Sequence, residues 1–282
     1  DKNGKKQVVD GRQRISAILD FLEGKFKLNN LRILKQFNGC CFADLDLKQQ
    51  GVIEDFQLLF YIIQPPTPER VKYDIFDRVN RGGTPLNKQE MRNALYRGRC
   101  TRMLDKLCCS PEFLIATGRS INKERMKDQY VVLRAMAFLM LHRGEFKDIP
   151  ALQYRGDIDD FLARFMVYVN DNAPEKLIVD YENLFIRCMQ ISYDLLGENG
   201  FRFSGNGIRR PINMPLFEAL SYLFSFVPEK IDYTWASRLI LDIESVKEEF
   251  DDSRYFSGNI DSTTSVSFRF DRMDKIINRI QL

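Results

Sequence analysis

Two short segments gather the residue types from which an anion site can be built. One is Asp10-Gly11-Arg12-Gln13-Arg14; the other is Asn80-Arg81-Gly82-Gly83-Thr84-Pro85-Leu86, preceded by Phe76. Arg12 and Arg14 offer guanidinium forks that match phosphate oxygens, and Arg81 offers a third. Gln13 and Asn80 add amides able to place a nucleotide or an attacking water. Gly11 lets a backbone approach closely, and Asp10 can orient an arginine or hold a divalent ion bridging phosphates. The chemistry such residues suit is phosphate binding and phosphoryl transfer, where positioning and charge stabilisation dominate.

The elements around the first segment would set its geometry. Residues 5–9 read as a short strand closed by the Asp10-Gly11 turn, and a helix follows at once. Its apolar stripe is Ile15, Ile18, Leu19 and Leu22, and Gly24 ends it. A helix starting there aims unpaired N–H groups and the positive end of its dipole at an anion. No G-x-x-x-x-G-K-[ST] occurs, so this is not the standard phosphate loop. By pattern alone, the first segment also fits an ordinary surface turn. The second also fits a helix C-cap followed by a turn.

Residues 57–63 read as a buried strand cut off by Pro65-Pro66. Thr67 and Pro68 then open a helix with Val71, Ile75, Phe76 and Val79 on its apolar side. Asn87 with Glu90 forms a capping-box variant that starts a helix running through Tyr96. Beyond residue 100 the periodicity is helical almost throughout, over 123–142, 158–169, 175–196, 214–226, 235–250 and 266–280. Asp157, Asn213 and Thr234 are the expected N-caps, with Gly144 and Gly197 as stops. The expected architecture is a small α+β unit followed by a helical bundle, divided as residues 1–98 and 99–282.

Composition narrows the function. The 282 residues carry 42 Lys+Arg and 39 Asp+Glu, a net +3, too weak a field for a generic polyanion binder. The charge is uneven, and between residues 81 and 102 Arg81, Lys88, Arg92, Arg97, Arg99 and Arg102 face Glu90 alone. Arg92, Arg97 and Arg99 are therefore the candidate nucleic-acid contacts, unless the strip is only a solvated helix face. The single histidine, His142, excludes histidine triads and paired-histidine metal sites, and no metal centre is expected. Six cysteines lack any C-x-x-C spacing, so free thiols in a reducing cytoplasm are expected. No apolar run approaches the length of a membrane span, and no apolar leader follows the polar first residues.

The two segments, in this order, resemble the N-terminal domain family of GmrSD-type, modification-dependent restriction systems. The family's D-G-Q-Q-R box is matched by Asp10-Gly11-Arg12-Gln13-Arg14, with Arg12 at the usual first Gln. Its F-x-x-x-N element is matched by Phe76 and Asn80, and its R-G-G-x-x-L by Arg81, Gly82, Gly83 and Leu86. Phe201-Arg202, with Arg210-Pro211-Ile212-Asn213, is similar to a later element of some members. The resemblance implies a ParB/sulfiredoxin-like fold in which the box binds a nucleoside triphosphate, with Mg2+, and in several members hydrolyses it. It implies a regulatory role beside a nuclease in prokaryotic restriction or anti-phage defence.

Two readings of function follow. In the first, Asp10, Gln13 and Asn80 do the chemistry while Gly11, Arg12, Arg14 and Arg81 bind the nucleotide. In the second, the chain is a non-enzymatic module in which the strip over 81–102 contacts DNA and the acidic helical part docks a protein. If the intact protein cuts DNA, the cutting domain is expected outside these residues, since no D-x-x-x-E-x-K-like core is apparent.

Overall fold

The computed structural model describes residues 8, 11–64, 67, 71, 75, 78, 86–203, 209–228, 230 and 232–280. Packing divides the chain into two units, Asp1–Pro85 and Leu86–Leu282. Residues 86–98, read from sequence with the first unit, fall in the second.

The described part of the first unit holds helices α1 (Arg12–Leu22) and α2 (Leu47–Glu54), with tight turns at Lys35–Phe37 and Phe42–Asp44. Asp46 caps α2, accepting from the Gln49 N–H at 2.8 Å, and the Gln49 side chain accepts from the Asp46 N–H. The packing is thin. Phe21 is buried against Phe26 and Phe42, at ring separations of 5.5 and 5.9 Å, but Ile18 and Leu19 of the expected stripe face solvent.

The expected mixed sheet is overturned, and the ParB/sulfiredoxin-like α+β class with it: no strand occurs among the described residues. Residues 57–63 are irregular chain with Leu59 79% and Tyr61 89% exposed. An apolar run becomes a strand only if a neighbour completes its backbone bonds and a packed layer covers a face, and here no face is covered. The expected strand over 5–9 lies, but for Val8, outside the described residues; so does most of the expected helix after Thr67.

The second unit is all helical among its described residues. It comprises α3 (Lys88–Leu95), α4 (Arg99–Cys108), α5 (Pro111–Ala116), α6 (Lys127–His142), α7 (Ile158–Asp171) and α8 (Glu175–Leu196). The remaining helices are α9 (Met214–Phe224), α10 (Tyr233–Asp251) and α11 (Thr263–Ile280). α9 lies at the centre, every residue from Pro215 to Phe224 buried, and packs on α6, α8 and α11. A helix apolar all round needs partners on all sides, and these neighbours supply them. Asp157 and Asn213 cap α7 and α9 as expected, whereas α10 is capped by Asp232, two residues before the expected Thr234.

One charged group sits inside this core. Glu218 of α9 accepts from Arg134 of α6 and, at 3.1 Å, from Arg269 of α11, and all three side chains are out of water. Arg134 also pairs with Asp261 at 2.7 Å and donates to the Tyr130 hydroxyl at 3.1 Å. The charges balance, so three helices are tied without a net buried charge.

Candidate phosphate-binding helix end

α1 begins directly from Gly11, which takes φ 87° and ψ 3°. That left-handed conformation is cheap only for glycine, and it turns the chain into the helix within one residue. The Ile15 N–H closes the first intrahelical bond on the Gly11 carbonyl at 2.8 Å. A glycine N-cap has no side chain to receive the first-turn N–H groups, and the first turn carries no acidic residue. Among the described residues, no acidic side chain within the helix's first turn offsets the positive end of its dipole.

Arg14 completes the arrangement. Its guanidinium folds back over the cap: a β-carbon built on Gly11 would stand 3.6 Å from Arg14 Nη2 and 3.9 Å from its Cζ. A larger residue at position 11 would occupy the space beside that fork. Arg12, Gln13 and Arg14 are all exposed, so a solvent-borne anion can reach them. Asp10, Asn80 and Arg81 lie outside the described residues, as does any pocket shared between the box and Asn80.

The basic strip divides on inspection. Arg92 is buried, contrary to its expected place on a nucleic-acid face; it pairs with Asp159 at 2.7 Å and lies over the Tyr130 ring at 5.2 Å. Burial raises the Asp159 carboxyl pKa, but hydrogen bonds from Lys88 and Arg92 outweigh it and hold the pKa below the usual range. Arg99 is also spent within the fold. It donates to the Val169 carbonyl at 2.7 Å and the Ala173 carbonyl, and pairs with Glu175 at 3.0 Å. Arg97 is exposed. The sequence placed these arginines on one strip because charge runs are legible, whereas partners some 70 residues away are not.

No group of three or more His, Cys, Asp or Glu suited to a metal occurs among the described residues. The six cysteines are free thiols. Burial pushes the Cys188 thiol up to about 12 and raises Cys100 and Cys108 as well, which makes them inert rather than nucleophilic. No helix among the described residues is long and apolar enough to cross a membrane.

The exposed Arg12 and Arg14 thus stand at the start of α1, within a stretch that is similar to a known family. Residues 1–97 match the family described as GmrSD restriction endonuclease, N-terminal domain, bearing out the resemblance read from the box and tying this stretch to restriction systems. No curated protein and no solved structure matches the chain.

Proposed function

We propose that the start of α1 binds the phosphates of a nucleoside triphosphate, and that the chain acts as the nucleotide-dependent regulatory part of a restriction or anti-phage defence system. The observation that carries this reading is the Arg14 guanidinium lying over Gly11, at a helix N-terminus whose first turn carries two arginines and no acidic residue. Arg12 adds a second fork, and first-turn N–H groups supply neutral donors. Arg81 is assigned to the nucleotide, with Gln13 and Asn80 placing it or a water, and Asp10 orienting an arginine. Such a set favours charge developing on a transferring phosphoryl group, which is how it would support hydrolysis. Mg2+, when bound, would neutralise the polyphosphate; Asp10 is the box's only carboxylate for it. The nuclease that this domain accompanies lies outside the chain.

Calorimetric titration of ATP, GTP and CTP with Mg2+ tests the reading. Arg14→Ala is expected to weaken nucleotide binding by about 1.5–3 kcal/mol, the worth of a charge-assisted hydrogen bond. Arg14→Lys recovers only part, because an ammonium keeps the charge but not the fork. If none of the three nucleotides binds below millimolar concentration, the site reading fails and a non-enzymatic DNA- or protein-docking module, with Arg97 on its exposed face, takes its place.

A further inference from the structure

Residues 123–142 carry one unbroken helical pattern in the sequence, yet the structure divides them. Glu124–Met126 forms a single tight turn, and α6 starts only at Lys127. The division is made by two adjacent non-glycine residues in the left-handed region, Arg125 at φ 56°, ψ 31° and Met126 at φ 58°, ψ 33°. Each sets its Cβ against the following carbonyl, so two in succession persist only if something outside holds them.

α3 supplies the hold. The Asn87 side-chain oxygen accepts from the N–H groups of Gln89 and Glu90 at 2.8 and 2.9 Å, while its Nδ2 donates to the Arg125 carbonyl at 2.7 Å. Glu90 Oε2 accepts both the Asn87 N–H at 2.7 Å and Arg125 Nη2 at 2.9 Å. Asn93 donates to the Met126 sulfur at 3.1 Å. The Arg125 carbonyl is the acceptor that the Gln129 N–H would use in a continuous helix. In the structure the Gln129 N–H turns instead to the Asp128 side chain at 2.8 Å. Upstream, the Asn122 side-chain oxygen accepts from the Glu124 N–H at 2.8 Å, so a helix begun at Lys123 already has its cap.

We propose that residues 123–130 are a two-state joint latched in its broken form by α3. While Asn87 holds the Arg125 carbonyl, α6 starts at Lys127. When that hold is lost, Arg125 and Met126 turn right-handed and α6 lengthens by four residues, about 6 Å at 1.5 Å per residue. The inference stands on residues 86–142 alone and does not depend on nucleotide binding.

Amide hydrogen exchange on the full 282-residue chain tests it. Asn87→Asp keeps the oxygen that caps α3 but removes the donor to Arg125. Exchange at residues 127–130 is expected to slow by about tenfold, a factor equivalent to relieving one left-handed residue, with α3 protection unchanged. Unchanged or faster exchange at 127–130 with α3 intact overturns the proposal. Should Asn87→Asp loosen α3 itself, substitutions at Met126 decide independently. Met126→Ile, which resists the left-handed region, should slow exchange, whereas Met126→Gly, at ease there, should not. Equal exchange in those two variants overturns the proposal as well.

Discussion

His142 is a base placed where a base has little use. It sits on the last turn of α6 with its ring stacked on Phe270 of α11, 3.6 Å between centroids and 8° from parallel, and with Tyr222 of α9 at 5.6 Å. Its Nε2 is buried without a hydrogen-bond partner. Burial, and then the nearby positive charge of Arg269, push its pKa down to about 3 from 6.5. Tyr222 donates to Asp274 at 2.8 Å, so that carboxylate is engaged by a neutral neighbour. Because the folded pKa is depressed, the unfolded chain takes up this proton first as pH falls. Stability from neutral His142 is therefore full above about pH 6.5 and is lost between 6.5 and 3, at about 1.4 kcal/mol per pH unit. His142→Phe keeps an aromatic stack and removes the proton site. Urea midpoints from pH 8 to pH 4 should show the variant gaining on the wild type only below 6.5. A constant offset across the range would mean that the histidine does not titrate between the two states.

Among the elements, α7 and α8 show how far a basic residue can be from its apparent purpose. α7 ends at Asp171 and α8 starts at Glu175, and the turn between them is closed by Arg99 from α4. Its guanidinium takes the Val169 carbonyl, which has no further helical N–H to receive, the Ala173 carbonyl, and the Glu175 carboxylate in the first turn of α8. Arg99→Ala is expected to lower unfolding free energy by about 1.5–3 kcal/mol through lost charge-assisted hydrogen bonds. Arg97→Ala, two residues away and exposed, should stay within about 0.5 kcal/mol of wild type. Denaturant unfolding of the two variants decides it: equal stabilities would return Arg99 to the surface strip. Local signals were well read here, because caps act over three residues. Asp157 and Asn213 were found from the helical pattern that follows each, and Asn87 with Glu90 from their spacing. The break at Arg125 and Met126 was not, because helical periodicity describes a preference that α3 overrides from some 35 residues away.

At the scale of the whole chain, the two units differ in how completely they bury their apolar residues. The helical unit has a continuous core that runs through α4 to α11; α6 to α11 were legible because each carries a long 3.6-residue pattern, whereas the shorter α4 and α5 were not singled out. The Arg134–Glu218–Arg269 group inside it was not, since its members are separated by tens of residues and each alone looks like a surface charge. The first unit misled in the opposite direction. Its run over 58–63 has the composition of a core strand, but composition does not supply the neighbouring strands. In the described part of that unit only Phe21 and Leu45 are buried among apolar side chains, whereas Phe56, Leu59, Phe60 and Tyr61 are exposed on irregular chain. Proteases need a locally extended segment, and helix interiors such as the exposed Leu241 of α10 offer one only by unfolding. Limited chymotrypsin digestion of the native chain should therefore cut first after Phe56, Leu58, Phe60 or Tyr61. A long-lived product containing the helical unit should follow, since its core protects the sites within α4 to α11. First cuts within α6 to α11, at rates matching those over 56–61, would show that the helical unit opens as readily as the first.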